Sequence, residues 1–282
     1  MKVYRLLRML INGRESEQIS ASDRGFQYGD GLFETLLVEN GEPEFLDRHL
    51  ERLRIGCERL SIRFPGNSIL KHETFRICES VESAVLKIIV SRGPGGRGYR
   101  IPDPIEPTRV MSIHGLPEYP IDFPNQGIRA VLCKNRLGIN PALAGLKHMN
   151  RLEQILARSE WDSPSIQEGL MRDSSGNVIE GTMSNLFLVQ HGALVTPDLS
   201  GSGVFGIVRA QVLEIAARAR IDARIEAVRV EDIEQADEIF VTNSIIGLWP
   251  VVEFERSAHA IGPVTRKIMQ CLDEQKKTAR RK

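Results

Sequence analysis

The residue whose surroundings most favour chemistry is Lys147, near the centre of the stretch NPALAGLKHMNRLEQILARSEW over residues 140–161. A lysine among small apolar residues loses hydration, which lowers the pKa of its ammonium group and favours nucleophilic amine chemistry such as Schiff-base formation. The residues that create these surroundings are Ala142, Leu143, Ala144, Gly145 and Leu146. An exposed lysine at the start of a helix would look the same, so the rest of the chain must decide between the two interpretations.

A buried carboxylate and an anion site are predicted in the second half of the chain. Glu180 ends a strand-like run that heads for the core, where an unpaired carboxylate is costly, so we expect it to have a partner. Gly201, Gly203 and Gly206 open an amphipathic helix in PDLSGSGVFGIVRAQVLEIAARARI. Backbone N–H groups at such a start, helped by the helix dipole, form a general anion site. Many helices nevertheless follow glycine for steric reasons alone.

Two further segments carry polar side chains where a small anionic molecule could bind. The buried strand in ADEIFVTNSIIGLWPV ends in Thr242, Asn243 and Ser244. The strand AVLKIIVSRG leads into the glycine-rich loop GPGGRGYR, which contains Arg97 and Tyr99. Prolines rather than a helical pattern follow this loop, so it is not a dinucleotide fingerprint. A flexible basic loop suits a carboxylate-bearing ligand, although a plain surface loop has the same composition.

The elements that must position these residues alternate along the chain. Residues 9–19 predict a strand and a turn at Asn12-Gly13, and the three glycines of DRGFQYGDG predict a loop whose backbone approaches a neighbour closely. LFETLLVENGEPEFL predicts a hairpin joined at Asn40-Gly41. Apolar spacing predicts a helix over residues 46–60, and a second helix is expected over residues 68–82.

In the second half of the chain, the residue pattern predicts a strand at GIRAVLCKN, a helix from Lys147 to Trp161, a meander of short strands after Gly169 and a terminal helix. Prolines cluster between the halves and favour a linker. We therefore expect domains over residues 1–115 and 125–282, with a linker over 116–124. The first eight residues precede a second methionine and are interpreted as a possible extension.

Composition excludes several classes of function. Lysine plus arginine and aspartate plus glutamate both total 37, which gives no support for a nucleic-acid or membrane partner. The four cysteines form no CxxC or Cys/His pattern, so neither a zinc site nor a disulfide framework is expected, and a cytoplasmic location is favoured. No run approaches the length of a membrane span, and the opening MKVYRLLRML is a poor signal peptide.

Six landmarks in order resemble the fold-type IV pyridoxal-phosphate enzymes, which include branched-chain and D-amino-acid aminotransferases and aminodeoxychorismate lyases. They are DRGFQYGDGLFET, HLERL, a lysine after a small-residue turn, EGTMSNLF, GSGVFGIVR and TNSIIGLWPV. The resemblance runs from about residue 10 to residue 270. It implies two α+β domains with the cofactor between them, and a homodimer.

Within that family, VSRGPGGRGY and RLGINPALAGLKHMNRLEQILAR most resemble the aminodeoxychorismate lyase branch. The expected reaction converts 4-amino-4-deoxychorismate to 4-aminobenzoate and pyruvate in folate biosynthesis. The alternative is an aminotransferase of the same fold that acts on D-amino or branched-chain amino acids. A non-catalytic protein that binds pyridoxal phosphate or another anion is disfavoured, because Lys147, Arg52 and Glu180 occur together.

The resemblance also implies residue roles. Lys147 would bind pyridoxal 5′-phosphate covalently and act as the mobile acid/base, and Glu180 would face the pyridine nitrogen. The phosphate would be held by Arg52, by the backbone of Gly206, Ile207 and Val208, and by Thr242 or Asn243. Tyr28, Gly31 and Phe33 would line the substrate side, with Arg97 binding a substrate carboxylate.

Overall fold

The computed structural model describes residues 5–279, with side chains over residues 5–276. The chain divides into two compact units, one formed by residues 5–118 with Leu146–Asn150 and the other by Tyr119–Gly145 with residues 151–279. Each unit combines a β-sheet with helices, which confirms the predicted α+β class. The domain limits at residues 115 and 125 stay a prediction. Within the expected extension, residues 6–8 lie in a strand, and residues 1–4 lie outside the described part.

The first unit is built on an antiparallel sheet. Its elements are β1 (Leu6–Ile11), β2 (Arg14–Glu15), α1 (Arg24–Tyr28), β3 (Gly31–Glu39), β4 (Glu42–Pro43), α2 (Leu46–Arg59), α3 (Asn67–Cys78), β5 (Ser83–Ser91) and β6 (Thr108–His114). The six strands have the order β2-β1-β6-β5-β3-β4. Leucine side chains of one sheet face pack with those of α2 and α3 in a continuous apolar core. Neither of these two helices packs against the other face of the sheet.

The predicted turn at Asn12-Gly13 and the predicted hairpin at Asn40-Gly41 are both confirmed, and both turns join paired antiparallel strands. Asn12 and Gly13 have φ of 49° and 76°, and Asn40 and Gly41 have φ of 52° and 81°. Positive φ at both central residues is what a tight two-residue hairpin turn requires, and Asn-Gly tolerates it best. The dipeptides therefore set the register of both hairpins.

The predicted loop at DRGFQYGDG is wrong in part, because α1 forms inside it. Asp23 accepts a hydrogen bond from the backbone N–H of Gly25 at 2.8 Å, which caps the start of the helix. Gly29 ends it with φ of 64°. The close backbone approach is confirmed at Gly31, where an added Cβ would come 2.8 Å from the carbonyl oxygen of Val90.

The second unit contains a mixed sheet. Its elements are α4 (Phe123–Gln126), β7 (Ile128–Leu137), α5 (Leu152–Arg158), β8 (Glu168–Asp173), β9 (Val178–Gly181), β10 (Asn185–Gln190), β11 (Ala193–Pro197), α6 (Ile207–Ala219), β12 (Ala223–Glu226), α7 (Val230–Glu234), β13 (Glu238–Asn243), β14 (Gly247–Phe254), β15 (Ser257–Ala258) and α8 (Pro263–Ala279). Eight strands run in the order β12-β11-β10-β13-β14-β7-β8-β9, and β15 pairs with β14. The predicted meander after Gly169 is confirmed as β8 to β11.

Three element boundaries differ from the sequence expectation. The helix expected from Lys147 to Trp161 is only α5, because the backbone of Lys147 and Met149 is hydrogen-bonded to β3 and His148 forms a bridge with Leu32. The helix expected to reach residue 82 ends at Cys78, since Glu79 is extended and Ser80 has φ of 61°. The start of α4, which has Pro124 in its first turn, lies at the end of the predicted proline-rich linker. Over the described residues, no helix has both the length and the apolar composition that crossing a membrane requires.

A buried ionic cluster fixes α2 against β3. Glu34, 1% exposed, accepts hydrogen bonds from Arg52 Nε at 2.8 Å and from His49 Nδ1 at 2.6 Å. Burial by itself would raise the pKa of Glu34, but the positive charge of Arg52 and the hydrogen bonds of both partners lower that pKa to about 2. Burial lowers the pKa of His49 below its usual value.

We expect Glu34 and His49 to make the protein lose stability on acidification. Both groups bind protons less readily in the folded chain, so the unfolded chain gains protons first as pH falls below the ordinary values of about 6.5 for histidine and 4.3 for glutamate. The contribution of Glu34 is present at neutral pH and is lost as pH falls towards 2. Replacing Glu34 with glutamine leaves Arg52 without its buried carboxylate and should cost about 3–5 kcal/mol at pH 7.

Denaturant unfolding of E34Q and the wild type between pH 7 and pH 2 measures both effects. E51Q is the control, because Glu51 pairs with Arg54 at the exposed surface of α2 and should leave the midpoint nearly unchanged. An E34Q variant with wild-type stability and the wild-type pH dependence would contradict this account.

Candidate functional site

Lys147 lies beside the first residues of β3, not on a helix. The backbone N–H of Phe33 donates to Lys147 O at 2.9 Å, and the N–H of Met149 donates to Gly31 O at 2.9 Å. Lys147 is half-buried, and its Nζ lies 4.5 Å from the centre of the Phe33 ring. The first unit thus brings together three of the residues predicted from the sequence. A primary amine held against an aromatic ring has a defined position for nucleophilic or acid/base chemistry.

Tyr28 and Arg97 both belong to the surroundings of the glycine-rich loop. The Tyr28 hydroxyl accepts a hydrogen bond from the N–H of Gly98 at 3.3 Å, and its ring packs edge-on against Tyr99 at 5.7 Å. Arg24 also reaches this loop by donating to Gly98 O at 2.8 Å. These contacts fix the loop to α1. Arg97 itself is exposed, and its carboxylate-binding role stays a prediction.

Arg52 is held by the buried cluster of the first unit. Its Nε and Nη2 atoms both donate to the Glu34 carboxylate. This paired geometry fixes the plane of the guanidinium, which is 14% exposed. The phosphate-binding role of Arg52 would therefore use an arginine whose orientation is set before any ligand binds.

Glu180 occupies a buried position in β9 of the second unit. It is 5% exposed, and its Oε2 accepts a hydrogen bond from the N–H of Val204 at 2.8 Å. Asn185 donates to the carbonyl oxygen of the same Val204 at 2.9 Å. These bonds fasten the glycine-rich segment before α6 to the strands that carry Glu180 and Asn185. The predicted buried carboxylate is thus held in a defined place.

The start of α6 has the features of an anion site. Gly206 is the N-cap and provides no side chain, so no side-chain cap satisfies the first backbone N–H groups of the helix. A Cβ at Gly206 would collide with Asn185 Oδ1, so the backbone can take this position only as glycine. Ile207 and Val208 bury their side chains in the core and leave their backbone at the helix start. This combination favours a phosphate group.

Arg209 anchors the first turn of α6 to β11. It is 7% exposed and donates to Thr196 Oγ1 at 3.2 Å and to Pro197 O at 3.0 Å. Burial lowers the pKa of Arg209, although the charges of Asp198 and Glu180 oppose that shift. Its guanidinium is therefore used to hold the helix start.

Thr242 and Asn243 are the last two residues of β13, and their side chains lie in different environments. Thr242 is paired in register with Asn185, is 1% exposed, and its Oγ1 has no hydrogen-bond partner among the described residues. Asn243 instead caps a turn, because its Oδ1 accepts the N–H groups of Ile245 and Ile246 at 2.8 and 2.9 Å. A buried hydroxyl without a partner is costly. Of the two alternatives, this geometry favours Thr242 as a ligand-binding side chain.

Several residues of these arrangements were missed by sequence reasoning. Asn185 links Val204, Gly206 and Thr242, and it lies inside the landmark EGTMSNLF, which could have pointed to it. Glu168 is buried and accepts hydrogen bonds from the hydroxyls of Thr182 and Ser184, both at 2.6 Å. Burial raises the pKa of Glu168 despite these bonds. No local pattern marks Glu168, since its hydroxyl partners lie in the turn between β9 and β10.

The donor set suits an organic phosphate better than a metal ion. Within residues 5–279, no group of His, Cys, Asp and Glu side chains could hold a metal. The unsatisfied Thr242 hydroxyl, the glycine at the α6 N-cap and the free helix N–H groups are all donors for a dianion. The second unit provides a buried carboxylate and these phosphate donors, and the first unit provides a half-buried lysine. Each is a group that a phosphorylated pyridine aldehyde requires.

Comparison with known proteins supports the same interpretation. The profile of the family described as "Amino-transferase class IV" matches residues 31–254. An aminodeoxychorismate lyase of Vibrio harveyi is 35% identical over 92% of this chain and 97% of its own length. A provisionally named branched-chain-amino-acid aminotransferase of Methanocaldococcus jannaschii is 29% identical over 96% of this chain and 94% of its own.

A solved structure matches as well. The crystal structure of 4-amino-4-deoxychorismate lyase from Pseudomonas aeruginosa superposes with a TM-score of 0.91 and 44% identity, covering 94% of this chain and 98% of that one. The resemblance predicted from the six sequence landmarks is confirmed. The profile spans most of the chain and the Vibrio harveyi relative nearly all of it, so the chain belongs to the amino-transferase class IV family and has its fold-type IV architecture.

Proposed function

We propose that the protein is a pyridoxal-phosphate-dependent 4-amino-4-deoxychorismate lyase. The observation that carries this assignment is the identity of 44% and 35% with two lyases over more than nine-tenths of the chain. The aminotransferase reported above reaches 29%. An enzyme of this kind supplies 4-aminobenzoate for folate biosynthesis.

The family is pyridoxal-phosphate-dependent, and the residues of this chain fit that cofactor. When bound, pyridoxal phosphate supplies an electron sink for the charge that develops at the amine-bearing carbon of the substrate. Lys147 would bind its aldehyde carbon, and Glu180 would keep its ring nitrogen protonated. Arg52, Thr242 and the α6 backbone at Gly206, Ile207 and Val208 would hold its phosphate.

The chain's own residues then have few steps to perform. Once the substrate amine has released it, Lys147 Nζ would remove the proton from the amine-bearing ring carbon, beside the Phe33 ring that it contacts. The bond between the neighbouring ring carbon and the oxygen of the enolpyruvyl group breaks. Its electron pair leaves with the oxygen, and the ring becomes aromatic. One proton is taken from the ring and one is required to convert the enol to pyruvate, so no second substrate is needed. Orientation and proton transfer are therefore the protein's main contributions.

An aminotransferase would share the cofactor and the first proton transfer but would need a keto-acid acceptor. Tyr28, Gly31 and Phe33 would line the substrate side in either enzyme, and Arg97 would bind a carboxylate. The two functions are thus separated by the products and by the requirement for an acceptor.

The first test is turnover of 4-amino-4-deoxychorismate by the holoenzyme without any keto acid. We expect equal amounts of 4-aminobenzoate and pyruvate, measured by chromatography and a coupled pyruvate assay. K147A should lower this turnover by at least about a thousandfold, because it removes the mobile base, and should abolish the visible absorbance of protein-bound cofactor.

K71A is the matched control, since Lys71 pairs with Asp47 at the surface of α3 and should keep full activity. Wild-type protein that forms products only when a keto acid is added would support the aminotransferase and overturn the lyase. Full activity in K147A would remove the assigned role of Lys147.

A second test concerns Thr242. T242V keeps the shape of the side chain and removes the hydroxyl that we assign to the phosphate, so cofactor affinity should fall about 5- to 50-fold. Spectroscopic titration of the apoenzyme with pyridoxal phosphate measures the Kd. T265V is the control, because Thr265 is also fully buried with an unsatisfied hydroxyl but lies in α8. Equal affinity in T242V and the wild type would exclude Thr242 from the phosphate site.

We also propose that the protein is a homodimer located in the cytoplasm. Helix α5 exposes three large apolar side chains on one side, with Leu152, Ile155 and Leu156 exposed by 73%, 61% and 56%. Contiguous exposed apolar surface is typical of interaction sites, and a second copy of the chain is the occupant that the family implies. The four cysteines are free thiols, which suits a reducing compartment.

I155E should disrupt this dimer by burying a charge in the interface. Light scattering after size-exclusion chromatography should give half the wild-type mass at micromolar concentration. I69E is the control, because Ile69 is 46% exposed on α3 and no exposed large apolar side chain lies three or four residues from it in that helix. A wild-type monomer, or an I155E variant that remains dimeric, would contradict the proposal.

A further inference from the structure

A polar row crosses the face of the first sheet that lies opposite α2 and α3. Thr35 of β3 is directly opposite Lys87 of β5, which is directly opposite Ser112 of β6. Residues opposite each other in antiparallel strands project to the same face. Phe33 and His114 share this face, since each is two residues from a member of the row. Phe33 also contacts Lys147, so this face continues from the proposed catalytic lysine.

Lys87 is an unusual member of this row. It is half-buried, and its Nζ lies 5.1 Å from the centre of the Phe33 ring. Burial lowers its pKa, and within the described part of the chain no carboxylate forms an ion pair with it. An ammonium group that is partly removed from water is costly unless it is paired. Contact with an aromatic ring compensates only in part.

The neighbouring charges on this face do not supply a partner. His114 Nε2 lies 2.8 Å from Ser112 Oγ, so its polar contact is made within β6. Burial, with the nearby charge of Lys87, lowers the pKa of His114. Lys147 adds a second amine at 4.5 Å from the same phenyl ring. The face therefore offers amines and hydroxyls, and it suits an anionic molecule.

We propose that Lys87 is a substrate-binding residue that pairs with the ring carboxylate of aminodeoxychorismate, the carboxylate across the six-membered ring from the amine. This inference rests on the lyase assigned above. The substrate amine must lie at the Lys147 end, where the cofactor is bound. Lys147 Nζ and Lys87 Nζ lie 4.5 and 5.1 Å from the same phenyl centre, which sets an upper limit on their separation. The span from a para amine to a carboxylate is shorter than that limit. The enolpyruvyl ether is attached to the ring carbon next to the amine-bearing carbon, so the carboxylate of that group belongs to the Lys147 end of the substrate.

The ring of the substrate would lie against Phe33 while its two ends meet the two lysines. Phe33 is thereby assigned a positioning role, because it separates the amine that reacts from the ammonium that binds. A carboxylate on Lys87 would supply the counter-ion that the buried ammonium lacks.

Steady-state kinetics of K87M in the acceptor-free assay tests the proposal. Methionine keeps the apolar stem and removes the charge. We expect KM for aminodeoxychorismate to rise about 10- to 100-fold while kcat changes less than KM, as for the loss of a charged hydrogen bond. K87R retains a positive charge and should recover part of the loss. K71M, which removes a surface ammonium from α3, should have wild-type KM.

Product inhibition identifies which carboxylate is bound. The inhibition constant of 4-aminobenzoate should rise in K87M by the same factor as KM, whereas that of neutral 4-aminobenzamide should stay unchanged. Unchanged KM and 4-aminobenzoate inhibition would overturn the proposal. Equal weakening of the acid and the amide would show a distorted pocket and would also overturn it. Weaker inhibition by pyruvate alone would exclude the ring carboxylate.

The failure of this inference can be distinguished from the failure of the proposed function. A wild-type holoenzyme that does not convert aminodeoxychorismate removes the lyase assignment and the inference with it. A wild-type enzyme that is active while K87M has the same kinetics removes only the role of Lys87. Spectroscopic titration with pyridoxal phosphate checks that K87M binds cofactor as the wild type does.

Discussion

The placement of Lys147 depends on one backbone interaction, the pairing of Leu146–Asn150 with the start of β3. The hydrogen bonds between Phe33 and Lys147 and between Met149 and Gly31 hold a short segment that is distant in sequence from the first sheet. Gly31 permits this approach, since an added Cβ would come 2.6 Å from Met149 Sδ. Because backbone bonds set the main chain of Lys147 and Phe33 limits its side chain, the amine is ordered before any substrate arrives.

Buried carboxylates serve three different purposes in this chain. Glu34 balances Arg52 and remains ionised at acidic pH, since the pKa of its carboxyl is lowered to about 2. Glu168 lies among hydroxyl and backbone donors, and burial raises its pKa. Glu180 accepts one backbone N–H from Val204 at the segment that leads to α6. Each environment follows from its partners: a cation in the first case, neutral donors in the second and a glycine-rich segment in the third.

The anion site that we propose at α6 depends on several modest features in combination. A helix start after glycine is weak evidence alone, since many helices begin this way. Here Asn185 occupies the space that a side chain at residue 206 would need, Arg209 holds the first turn to β11, and Thr242 adds a buried hydroxyl in register with Asn185. The register of the sheet brings these groups together, and the helix dipole adds a positive electrostatic potential at the N-terminus of α6.

The sequence by itself determined the α+β class, both Asn-Gly turns, the meander after Gly169 and the family. Each of these depends on short stretches of the chain: the residues of a turn, the spacing of apolar residues, or an ordered set of family motifs. The sequence also singled out Lys147, Glu180 and the start of α6. Only the tertiary structure decided that Lys147 lies on a strand-like segment, that α1 forms within a glycine-rich loop, and that Lys87 shares the Phe33 ring with Lys147. Such pairings join residues far apart in the chain, and their energies depend on burial and register, which no local pattern records.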